Sequence, residues 1–76
     1  MDHHAQVTEA ARSLGLLDAD GKLVRLDSLM MVDLVIAIED FTGLAIPADV
    51  LREETFQSIE SVTAMVITLA AEKASA

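Results

Sequence analysis

Few residues in this chain can do covalent chemistry. Cysteine is absent, so there is no thiolate nucleophile, no cysteine metal ligand and no disulfide framework. The hydroxyl best placed for a role is Ser28, between Asp27 and Leu29 where a loop-like stretch gives way to an apolar run. An Asp-Ser step at such a place is also ordinary helix-capping chemistry, and either residue can make the cap. A hydrolase built on Ser28 needs a base, and the chain's two histidines, His3 and His4, sit at its fraying start. The same position makes them poor metal ligands. Asp18-Ala19-Asp20-Gly21 opens like a calcium loop, but its glycine comes too early and no glutamate follows at the required spacing. It reads as a turn. There is no glycine-rich phosphate loop and no isolated pair of carboxylates. These residues therefore point to no catalytic residue, no metal and no enzyme.

Length and charge agree with that. The chain has 76 residues, one small domain spanning 1–76, too small to build a deep cleft with its own supporting shell. Thirteen acidic residues against five basic ones give a formal charge of −8. Phosphate contacts need Lys and Arg, so nucleic acid and anionic membranes are excluded as partners. Basic protein surfaces are the natural ones. Like-charge repulsion also works against the compact state, so salt and divalent cations are expected to stabilise it. Met1-Asp2-His3-His4 lacks the pattern of a signal peptide, and the apolar stretch from Val62 to Ala71 is too short to span a bilayer. A cytoplasmic monomer is expected.

The elements that must position these residues are helices. Helix formers dominate and no stretch alternates with period two. A first segment runs from about Ala5 to Leu14, with Val7, Ala11 and Leu14 on one stripe and Gly15 just beyond. Residues 16–26 form a long loop. A second segment runs from Ser28 to Thr42 and stops at Gly43. Pro47 opens a short third helix. Ser58 caps a fourth, which continues to about Lys73 with Ile59, Val62, Val66 and Leu69 as its stripe and Met65 at the edge. The expected fold is all-α: a small four-helix bundle with three longer helices and one short one.

On a helical wheel the second segment carries more apolar surface than a core requires. Leu34, Ile38 and Phe41, flanked by Met30, Met31 and Val35, form the core face. Leu29, Val32 and Ile36 fall among Asp33, Glu39 and Asp40 on the opposite side. No Lys or Arg occurs between Arg25 and Arg52. An apolar stripe among acids on an exposed face suggests a docking surface, unless the loop 16–26 folds over it.

Leu26-Asp27-Ser28-Leu29, followed by Met30-Met31-Val32-Asp33-Leu34-Val35-Ile36-Ala37-Ile38-Glu39, then Ile46-Pro47 and Glu54-Thr55-Phe56-Gln57-Ser58-Ile59, resembles the acyl and peptidyl carrier proteins. The resemblance covers about residues 24–70. The tripeptide Asp-Ser-Leu is common by itself, whereas the full set in this order is specific.

The resemblance implies that Ser28 is esterified by 4'-phosphopantetheine from coenzyme A, and that a phosphopantetheinyl transferase reads Asp27 along with it. A phosphodiester at a helix start meets the positive end of the helix dipole. It also implies a carrier whose arm holds acyl or aminoacyl groups as thioesters. Partners are then a loading enzyme, adenylating or acyltransferase, and downstream acyl-processing enzymes that dock on Leu29, Val32, Asp33, Ile36, Glu39 and Asp40. The Glu-x-Phe-x-Ser-Ile ending resembles the peptidyl and stand-alone branch of secondary metabolism, of the non-ribosomal-peptide or polyketide type. A fatty-acid-type carrier and a helical adaptor without an arm are the alternatives. Two positions depart from the family pattern. Arg25 stands where glycine is common, and Phe41-Thr42 precede Gly43 where the aromatic ring is usually adjacent to the glycine position.

Overall fold

A computed structural model describes residues 2–75; Met1 and Ala76, the ends of the expected 1–76 domain, lie outside the described residues. It contains helix α1 (His3–Ser13), helix α2 (Ser28–Thr42), a single 3-10 turn (Ala48–Val50) and helix α3 (Ile59–Ser75). α1 packs against both α2 and α3. Among the described residues the one β-type pairing is an isolated antiparallel bridge between Leu17 and Leu23.

Local chemistry sets the helix ends. Asp2 Oδ1 accepts the Ala5 N–H at 2.7 Å, so α1 starts at His3, two residues ahead of the expected start at Ala5. At the far end Leu16 N–H reaches Ala11 O and Gly15 N–H reaches Arg12 O, with Gly15 at φ +71°. This is a Schellman stop. It leaves Leu14 outside the helix and exposed, contrary to expectation, and Ala10 joins Val7 and Ala11 in the core instead. α2 has the expected limits, and Gly43 at φ +74° ends it. In α3, Ser58 and Ser61 exchange bonds, each backbone N–H donating to the other's hydroxyl at 3.0 Å. The arrangement is a capping box with serine in the usual glutamate place.

The expected short third helix is present only as a single 3-10 turn. Pro47 does open a turn, with Val50 N–H to Pro47 O at 3.3 Å, but the turn ends at Leu51 and buries none of its residues. A helix that short needs an amphipathic face packed on the core to offset its nucleation cost. This one has none, and residues 52–58 continue as bends and turns. Among the described residues the bundle therefore consists of three α-helices and a 3-10 turn.

Leu34, Ile38, Val62, Val66 and Val7 are fully buried at its centre. Loop residues complete the core: Leu16, Leu23, Leu26, Leu44 and Phe56 are all buried. The 16–26 loop thus folds its leucines inward. It is pinned by Val24 N–H to Leu16 O and by Asp18, whose carboxylate accepts the N–H groups of Asp20 and Lys22. Phe41 is the exception to the expected core face, at 42% exposed. It lies in the last turn of α2, where Leu44, just past Gly43, is the buried residue.

Leu34→Ala should lose about 2–5 kcal/mol. That is most of the roughly 3–5 kcal/mol that a domain this size possesses. Phe41→Ser should lose under about 1 kcal/mol, as half-exposed positions do. Denaturant unfolding checks both; a Phe41→Ser loss equal to that of Leu34→Ala would place Phe41 in the core.

Candidate functional site

The start of α2 is built by Asp27. Its backbone is extended at φ −88°, ψ 179°, its Oδ1 accepts the Met30 N–H at 2.9 Å, and its carbonyl accepts the Met31 N–H at 3.0 Å. Asp27 is therefore the cap, and Ser28 is the first helical residue. That resolves the two capping options left open by the sequence. The Ser28 side chain is exposed and its hydroxyl has no hydrogen-bond partner among the described residues. The N–H groups of Ser28 and Leu29 are likewise left open by the cap. Leu26, one residue before the cap, is buried and anchors the approach to it.

Beyond Ser28, one face of α2 is apolar and solvated. Leu29 is 77% exposed, Val32 42% and Ile36 52%. The 16–26 loop does not cover them. Asp33 and Asp40 are exposed on the same helix. Glu39 differs: it is half-buried, and its Oε2 accepts the Ile46 N–H at 2.8 Å, holding the 43–47 loop against the helix. Part of its charge is thus committed to the fold.

Beside the start of α2 lies a cleft of about 420 Å³ between residues 23–26 and 53–57, lined by Leu23, Arg25, Leu26, Met31, Phe56 and Gln57. Arg25 Nη2 sits 3.5 Å from Glu53 Oε1 at its edge. Arg25, Glu53 and the cleft went unnoticed as a unit in the sequence, because the two charges are 28 positions apart and no periodicity links them.

The histidines are engaged elsewhere. His3 Nδ1 lies 3.0 Å from Gln6 Oε1, and His4 Nε2 lies 3.7 Å from Glu60 Oε2. Neither is bonded to Ser28. No group of three or more acidic or histidine side chains suited to a metal occurs among the described residues, and none of the described helices is long and apolar enough to cross a membrane.

An exposed, uncommitted hydroxyl on a rigid helix start, with open N–H groups around it, can be esterified and can hold a phosphate. The family model for the phosphopantetheine attachment site matches residues 5–66 of this chain. The chain belongs to that family, and it is a carrier protein that bears a covalent 4'-phosphopantetheine arm. Searches of curated proteins and of solved structures return no significant match. Carrier domains of this family are generally non-catalytic and are served by a phosphopantetheinyl transferase and partner enzymes. The residues present fit the arm. The group supplies a terminal thiol, which a chain without cysteine cannot furnish itself.

The cap assignment has a direct consequence. Asp27→Ala should destabilise the fold by about 1 kcal/mol. Ser28→Ala should stay within about 0.5 kcal/mol of wild type, since it removes no bond. Thermal unfolding of the two variants checks this; a larger loss for Ser28→Ala would make serine the cap.

Proposed function

We propose that Ser28 is the residue that carries the arm and that Asp27 is part of what the transferase reads. The observation that supports this is the division of roles at the start of α2: Asp27 makes the cap, and Ser28 keeps an exposed hydroxyl with no other engagement. The transferase brings the divalent cation that stabilises the pyrophosphate of coenzyme A. The chain brings presentation and a helix start able to receive the anion.

The face of Leu29, Val32 and Ile36, set among Asp33 and Asp40 with Glu39 at its margin, is the docking surface for those enzymes. Partners carry basic rims around their active sites. Attraction between the rims and α2 speeds encounter, and the apolar stripe supplies the contact. The whole single domain acts as the carrier, in a thiol-preserving compartment such as the cytoplasm.

The cargo is an aminoacyl or short acyl group, in a pathway of the non-ribosomal-peptide or polyketide type. The packed centre supports this. Leu34, Ile38, Val62 and Val66 have no exposure, and a packed interior resists even one added methylene. A fatty-acid-type carrier is the competing reading; it draws on Met31, an adaptable side chain lining the cleft beside the arm.

Incubation with coenzyme A, magnesium and a broad-specificity phosphopantetheinyl transferase should add one arm to the wild-type chain by intact mass. Ser28→Ala should gain nothing; uptake by that variant means another residue is the site. Docking has its own test. Val32→Asp should weaken association with a loading enzyme while the unfolding transition stays where it was, and Asp33→Lys should slow association and flatten its salt dependence. Collapse of the fold in Val32→Asp would make the stripe core.

A further inference from the structure

Arg25 stands three residues before Ser28, on the irregular chain that leads into the cap. Leu26 turns inward there, while Arg25 and Asp27 are both exposed, as alternation along extended chain requires. The Arg25 side chain is 92% exposed, and its contact with Glu53 at 3.5 Å is long and solvated. Pairs of that kind hold their members loosely. Two depressions meet at this pair. One is the cleft toward Met31, Phe56 and Gln57, and the other lies beside Asp27 and Met30 in the first turn of α2. Arg25, Leu26 and Glu53 line both.

We propose that Arg25 is a phosphate-binding residue: once Ser28 carries its arm, the Arg25 guanidinium leaves Glu53 and pairs with the phosphodiester. The inference rests on Ser28 being the attachment residue. Its chemistry favours the exchange. A guanidinium can engage two phosphate oxygens at once, with charge on both sides of the contact. The phosphodiester is held at a helix start whose N–H groups of Ser28 and Leu29 are open, a fixed position. Glu53, by contrast, belongs to the irregular 52–58 stretch. Asp27 is the other carboxylate within the same depression, but its Oδ1 is taken by the Met30 N–H. The exchange also removes the bridge between the two depressions. They then form one groove from Asp27 and Met30 to Phe56, with the Glu53 carboxylate released at its margin.

The test uses chain modified at Ser28, observed through the ³¹P resonance of the phosphodiester and the Nε–Hε resonance of Arg25. The Arg25 resonance should move when the arm is attached. The ³¹P line of modified Arg25→Gln should differ from wild type, and Arg25→Lys should restore part of the wild-type position. At 1 M salt, where the screening length is about 3 Å, the difference between wild type and Arg25→Gln should shrink. Arg25 is exposed, so the variants retain the fold, which their amide spectra verify. Identical ³¹P lines for modified wild type and Arg25→Gln, with an unmoved Arg25 resonance, would overturn this inference and leave the Ser28 assignment standing. Uptake of the arm by Ser28→Ala would overturn the Ser28 assignment and this inference together.

Discussion

The bond from the Met30 N–H to Asp27 Oδ1 is the interaction on which the site depends. It fixes where α2 begins, and so which residue is first on the helix and which way that residue faces. It also frees the neighbouring hydroxyl. Had serine made the cap, its Oγ would be engaged with a backbone N–H and less available for esterification. Because aspartate makes it, Ser28 keeps both its exposure and its hydroxyl, and the Ser28 and Leu29 N–H groups remain open to an anion. The buried Leu26 on one side and the buried Met31 on the other keep this short stretch in register with the core.

α2 serves two purposes with two faces. Met31, Leu34, Val35 and Ile38 hold the bundle together, and Leu29, Val32 and Ile36 face water among carboxylates. The helix tolerates this because loops, not a fourth helix, close the rest of the core. Leu16, Leu23, Leu26, Leu44 and Phe56 supply that closure. Glu39 links the faces, since its carboxylate holds the Ile46 N–H and with it the loop that follows the helix. The exposed face can therefore stay in water without loosening the packed one.

Local signals in the sequence were enough to place α2 and the start of α3. An aspartate cap, a glycine stop with positive φ and a serine cap act within one turn of the residue that carries them, so they are readable from a short stretch of chain. The exposed stripe was readable for the same reason, from helical period alone. Features that depend on distant parts of the chain were not. The segment after Pro47 has turn-forming residues, but it meets the core through Leu51 and Phe56 alone, without the apolar stripe that would extend the turn into a helix. Phe41 matches the core period yet is 42% exposed, because Leu44, past the glycine stop, is the residue buried at that end. The loop leucines follow no period, and the Arg25–Glu53 contact joins two segments that only the fold brings together.

The central claim is a prebuilt attachment point on a closed core, with the arm and its cargo held outside. Attaching an octanoyl-loaded arm and recording the amide spectrum before and after tests it most directly. The account predicts shifts confined to residues near the start of α2 and to 53–57, with Leu34, Ile38, Val62 and Val66 unmoved and the unfolding temperature little changed. Large shifts at those four core residues, with strong stabilisation by the chain, would show that the bundle opens to take in its cargo and would contradict the account.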